Sequence, residues 1–161
     1  MALNAYLRLV SQRARIQGSV TLRGREGTSA VIAMSHEIVS PRDLASGRAT
    51  GKRQHKPLVI TKELDRASPA IRQVLTLNEV LTQVDLLFFR PDAAGVESQY
   101  FTIKLTNASI TAITMQMPNT RHEDLRALEA FEDVGFVYQR IEWTWAETTT
   151  VVGDDWAAPV A

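Results

Sequence analysis

The sequence predicts a mainly β fold, an antiparallel β-barrel with one main external α-helix, and three observations lead there. The dominant apolar period is two. The strand-like segments are short and numerous, about eight, with no alternation of strands and helices. Only one segment combines helix punctuation with a strong helical apolar face. The 161 residues, 45% hydrophobic and 22% charged, suit a single ordered domain over residues 1–161. A chain of this length buries roughly two thirds of its extended surface, so one core is available without covalent staples.

Taken in order, residues 5–10 and 19–23 carry weak strand signals. Residues 30–39 are rich in β-formers and apolar on both faces in places, which requires cover on both sides. Residues 58–64 alternate loosely. Ser68 is placed to cap a helix, Pro69 to occupy its first position, and Ile71, Val74 and Leu75 to form its apolar face. That helix is expected to end near Leu77 and Asn78. Residues 84–90 form a further strand. In residues 100–106, Phe101, Ile103 and Leu105 face one way and Thr102, Lys104 and Thr106 the other. Residues 109–115 are a separate, weaker strand. A second helix is expected over residues 122–131, with Leu125, Leu128 and Phe131 on one side. Residues 136–145 form the longest strand, with Val137, Ile141, Trp143 and Trp145 in phase and Tyr138, Arg140, Glu142 and Thr144 opposite.

Several chemistries are excluded or lack support. The chain has no cysteine, which removes disulfides, thiol nucleophiles, zinc–cysteine sites and iron–sulfur clusters. No apolar run approaches the roughly 18–20 residues of a membrane helix. The first six residues lack a basic segment and Arg8 interrupts any apolar one, so no secretory signal is expected. Gly47-Arg48-Ala49-Thr50-Gly51-Lys52-Arg53 fails as a phosphate-binding loop. Three residues separate its glycines where four are needed, and Arg53 stands where Ser or Thr should reach magnesium. His36, His55 and His122 share no metal-ligand spacing, and Ser35-His36 lies in no nucleophile elbow. Asp154-Asp155 reads as solvated charge, and Asn107-Ala108-Ser109 as a chance sequon. Trp143 and Trp145 share a strand phase, which favours packing or an interface. No cofactor, metal or catalytic group is expected.

What remains is charge layout. Residues 1–80 hold 13 Lys and Arg against 6 Asp and Glu, while residues 81–161 hold 5 against 12. The two halves either present opposed surfaces or interleave and cancel. The segment 40–56 is long for a connection without periodicity and strongly basic. Arg42, Arg48, Lys52, Arg53 and Lys56 stand there against Asp43 alone. It is expected to meet an acidic surface of a neighbouring subunit formed by Glu123, Asp124, Glu129, Glu132 and Asp133 within residues 121–133.

Specific residues also resemble a family. Ser40-Pro41-Arg42-Asp43, Gly47 and Thr50-Gly51-Lys52-Arg53-Gln54-His55-Lys56-Pro57-Leu58 resemble the signature loop of the hemolysin-coregulated protein (Hcp) family, the tail-tube proteins of bacterial type VI secretion. The run from Ile60 to Pro69 is similar to the family's strand leading into its main helix. Tyr100 to Ala108, Gln116-Met117-Pro118, Val137 to Trp143 and Asp154-Asp155-Trp156 are similar to its later blocks. The resemblance spans about residues 5–156, and residues 11–29 match less well.

The resemblance implies a tail-tube-like barrel, hexameric rings that stack into a tube, and partnership with sheath and spike components. It implies effector proteins in the lumen, no nucleic-acid partner, no membrane insertion and no enzyme activity. It also implies synthesis in the bacterial cytoplasm and export without a cleaved signal. His36 is carried over as a lumen contact on a lumen-facing strand. With five residues after Trp156 in the sequence, no toxin domain is expected to follow the barrel. Two alternatives remain: a tube subunit of another phage-like contractile particle, and a monomeric barrel that binds a ligand through residues 40–56.

Overall fold

Alternation along the longest strands sets the architecture, and the computed structural model describes it for residues 3–156. The strands are β1 (Ala5–Ser11), β2 (Arg15–Ile16), β3 (Ser29–Val31), β4 (Ala33–Ser35), β5 (Ile38–Val39), β6 (Gln54–His55), β7 (Leu58–Glu63), β8 (Leu81–Pro91), β9 (Glu97–Gln116), β10 (Phe131–Trp145) and β11 (Thr150–Asp155). Among the described residues the one α-helix, α1 (Ser68–Thr76), lies between β7 and β8. All pairings are antiparallel, in the order β2-β1-β8-β9-β10-β7-β4, with β11 beside β10 and β3 beside β1.

The sheet does not close by a direct ladder between β1 and β7. Residues 29–35 bridge them, with β3 paired to β1 and β4 paired to β7. The bend falls at Ile32, whose N–H still donates to Thr61 O. The single strand expected over residues 30–39 is therefore three short ones. The segment changes partner twice, and its last piece, β5, leaves the barrel to pair with β6.

The strands expected at residues 100–106 and 109–115 are one strand, β9, creased at Asn107. That residue adopts a left-handed φ of 50°, a conformation asparagine tolerates better than most residues. Inward-facing residues change parity there: Ile103 and Leu105 are buried before the crease, Ala108 and Ile110 after it. β10 makes the same change at the same level. Tyr138 is buried and Val137 exposed, opposite to the expected phase, and the expected phase resumes at Ile141. Asn107 Nδ2 donates to Gln139 Oε1 across the crease at 2.8 Å. Lower down, Gly135 faces Thr111 so closely that a Cβ would sit 2.7 Å from its Oγ1.

Two further expectations are corrected. Residues 19–23 form no strand; Val20 instead packs over Tyr6, Leu87 and Phe89. Residues 122–131 hold one 3₁₀ turn (Glu123–Leu125) rather than a helix. Leu128 is exposed and Phe131 opens β10, so this segment has no packed apolar face to support a helix.

The helix α1 is docked by charge. Ala67 is its N-cap and Ser68 is already helical, so Ser68 does not cap as expected. Ser68 Oγ instead accepts from Asp65 N at 3.0 Å and donates to Glu132 Oε1 at 2.7 Å. Lys62 and Glu132, both fully buried, are cross-strand partners with Nζ and Oε1 2.9 Å apart. Asp65 Oδ1 takes Lys62 Nζ at 2.7 Å, and Arg72 reaches Glu132 Oε2 at 2.6 Å. Burial pushes the Glu132 carboxyl up, but Lys62, Ser68 and Arg72 outweigh it and hold the group below its ordinary range. The helix ends as expected, with Asn78 at φ 51° and Glu79 N donating to Val74 O, a left-handed cap.

Lys62→Ala removes the buried ammonium that Glu132, fully buried, and Asp65, half-buried, share and should cost about 3–5 kcal/mol, read as a lowered urea midpoint at fixed protein concentration. Lys62→Met combined with Glu132→Leu should lie closer to the parent than either single change.

Candidate functional site

The basic segment is not an unstructured loop. It is a hairpin arm: β5 pairs with β6, and farther out Arg42 bridges to Ala49. Asp43 shapes the tip by accepting from Ser46 N at 2.8 Å and from Ser46 Oγ. These bonds hold its carboxyl below the ordinary range. Gly47, at φ 69°, turns the chain where a side chain would be strained. Leu44 stands at the tip, fully exposed at 103%.

The base of the arm is fastened to the barrel by a chain of side chains. His36 Nε2 lies 2.7 Å from Tyr138 Oη, and His55 Nδ1 lies 2.8 Å from the same oxygen. His55 Nε2 lies 2.6 Å from Asp154 Oδ2. Arg53 donates twice to Asp154, at 2.5 and 2.6 Å, and once to Asp155 O at 3.0 Å. For neutral imidazoles the bonds run in one consistent direction. His36 donates to Tyr138, Tyr138 to His55, and His55 to Asp154. Lys52 Nζ donates to Trp156 O, and the Trp156 ring packs on His55 with centroids 5.3 Å apart.

The electrostatics follow from this geometry. The Arg53 hydrogen bonds, with help from His55, hold Asp154 down to about 2 against a smaller burial effect. Burial, then the Asp154 charge, pushes the Tyr138 phenol up. Burial, then the neighbouring His55, pulls His36 below the ordinary imidazole value. The arrangement is a fastening, with Tyr138 buried. Among the described residues no group of three or more His, Asp or Glu side chains could hold a metal ion.

The site residues named from sequence thus separate. Arg53 and Lys52 bind the chain's own C-terminal strand region, and Lys56 lies 3.5 Å from Glu37. Arg42 and Arg48 stay at the exposed tip, where the Arg42 guanidinium makes only a long contact to Gly47 O, 3.4 Å. His36 lies between β4 and β5 rather than on a strand. Asp154 is not solvated charge but an anchor. Of the acidic group, Glu132 is buried in the helix dock and Asp133 accepts from Thr61 Oγ1 at 2.5 Å. Glu132 is therefore out of reach of the arm of a neighbour. Sequence reasoning missed His55, Tyr138 and Asp154 as a unit. The only local signal was a burial-prone Tyr in a long strand.

The chain is similar to known proteins. A family model described as type VI secretion system effector, Hcp, matches residues 6–145. The Major exported protein of Pseudomonas aeruginosa is 40% identical over 144 residues, covering 89% of this chain and 84% of its own. The solved Hcp1 from E. coli EAEC 042 has a TM-score of 0.85 at 31% identity, covering 96% of this chain and 99% of its own. The secreted protein Hcp3 from Pseudomonas aeruginosa has a TM-score of 0.77 at 30% identity, covering 98% and 100%.

Asp154→Asn should cost about 1–3 kcal/mol at pH 7. The lowered carboxyl gives stability that is present above pH ~4 and lost as pH falls toward ~2. The variant's melting temperature should therefore fall less steeply than the parent's between those values in a thermal scan across pH.

Proposed function

The chain belongs to the Hcp family of exported type VI secretion proteins, and from that premise we propose that it is a tube subunit assembling into hexameric rings. The rings stack into a tube that is driven by a sheath, capped by a spike and exported, with effector proteins carried in the lumen.

The observation that carries the assembly is an open strand edge. β11 pairs with β10 on one side and, among the described residues, with no strand on the other. Its Val151 and Val152 are exposed. Unpaired apolar edges are a template for association, and a monomer would blunt them with charge or proline. A ring subunit covers the edge with its neighbour. Exposed Leu44, Ile32 and Met117 elsewhere on the surface fit a protein whose contacts continue beyond one ring, because head-to-tail contacts need two different complementary faces. In the same reading the half-buried His36 ring is a contact for lumen cargo, lost as reduced effector co-purification in His36→Ala.

Light scattering should give a particle of about 107 kDa, six copies of the 17.9 kDa chain closed into a ring. Electron micrographs should show rings. Val151→Lys with Val152→Lys should shift the particle to monomer while circular dichroism stays β-type. A parent that remains monomeric at tens of micromolar would overturn the reading.

A further inference from the structure

Two imidazoles and one phenol hold the root of the arm, and their hydrogens limit what they can hold. Tyr138 Oη has one hydrogen to give and lone pairs to receive. It lies 2.7 Å from His36 Nε2 and 2.8 Å from His55 Nδ1, and the two imidazole rings stand 6.4 Å apart. The groups around them come from every element packed there. β10 supplies Tyr138. β11 supplies Asp154, whose Oδ2 lies 2.6 Å from His55 Nε2, and Asp155, whose carbonyl binds Arg53. Arg53 shares the Asp154 carboxylate with His55. The Trp156 ring packs on His55, and Lys52 binds the Trp156 carbonyl. Glu37, next to His36, pairs with Lys56 at 3.5 Å.

Three protonation states follow from this geometry. With both imidazoles neutral, His36 donates to Tyr138, Tyr138 to His55, and His55 to Asp154. One proton added at His55 Nδ1 reverses the junction. His55 then donates to Tyr138 and to Asp154, and Tyr138 donates to the bare Nε2 of the other His36 tautomer. Every bond survives, and the new charge lies against a carboxylate. A second proton, on His36, has no such rearrangement. Both rings then aim an N–H at Tyr138 Oη, the phenol hydrogen has lost both its acceptors, and two cations face each other across it. The phenol does not shed that hydrogen, because burial and the Asp154 charge push its pKa up.

We propose that the His36–Tyr138–His55 junction is an acid-operated latch: it fastens the arm with no proton or one proton on the imidazole pair and opens when the second enters. Burial, then His55, holds His36 below its ordinary value. The unfolded chain takes that proton near pH ~6.5 and the fastened root does not, so the junction's stabilisation is whole above pH ~6.5 and is lost as pH falls toward the lowered His36 value. Asp154 stays ionised through this window, because its carboxyl titrates at about 2. With the junction open, little else closes the root. The β5–β6 ladder has only the pairs Ile38 with His55 and Val39 with Gln54, and an isolated short hairpin is marginal in water. Every contact in the latch lies within one chain, so it does not depend on the subunit reading.

Hydrogen exchange by mass spectrometry tests the latch on the full chain, with rates corrected for the intrinsic effect of pH. Between pH 7 and 4.5, peptides covering residues 36–39 and 54–56 should lose protection at least tenfold while peptides of β8 and β9 keep theirs. His36→Gln can still donate to Tyr138 but takes up no proton, so its root should stay protected at pH 4.5. Tyr138→Phe removes the junction, so its root should exchange at pH 7 as the parent's does at pH 4.5, with no further step in acid. A parent root that keeps its protection to pH 4.5, or one that opens only together with β8 and β9, overturns the proposal. So does a His36→Gln root that opens in acid as the parent does, or a Tyr138→Phe root that retains the parent's step.

Discussion

The buried pair between Lys62 and Glu132 fixes where everything else on the barrel falls. These residues are direct cross-strand partners on β7 and β10, and both side chains are out of water. A slip of one residue would turn Lys62 outward and leave Glu132 buried without its cross-strand ammonium, which is costlier than keeping the pair. The same pair holds Ser68 and Arg72 of α1, so one ionic cluster sets both the register of the sheet and the seat of the helix. With β10 in register, Tyr138 lies where the two histidines of the arm converge.

The arm then behaves as a projection with a rigid root and a free tip. Its root is tied by an unbroken sequence of hydrogen bonds from His36 to Arg53, through a phenol and a carboxylate that belong to the barrel and its last strand. Such a chain is directional, because each imidazole has one donor and one acceptor when neutral. The root therefore resists rotation more than a set of surface ion pairs would, since exposed pairs contribute little individually. Its tip keeps only the local turn around Asp43.

Part of the opposed charge of the two sequence halves is spent inside the molecule. Arg8 faces Asp85, Arg25 meets Glu97, Arg53 meets Asp154, and Lys62 and Arg72 share Glu132. One row across the sheet alternates in sign through directly paired positions, Arg8, Asp85, Lys104 and Glu142 on β1, β8, β9 and β10. Antiparallel pairing brings early and late strands together, so the excess of each half neutralises the other.

The sequence by itself determined the features that depend on near neighbours. Alternation in residues 100–106 located a strand, Pro69 and the face of Ile71, Val74 and Leu75 located α1, and the run around Arg42 to Lys56 carried the family resemblance. The tertiary structure alone decided which partner each strand took. Residues 30–39 read as one strand because alternation is blind to a change of partner at Ile32. Residues 122–131 read as a helix because spacing is blind to the absence of anything to pack against. The parity change at Asn107 joins residues 32 positions apart, and the burial of Tyr138 and the capture of Asp154 by Arg53 and His55 join residues 83 to 102 positions apart. Such contacts exist only once register is set, and register is a property of paired strands that no single segment contains.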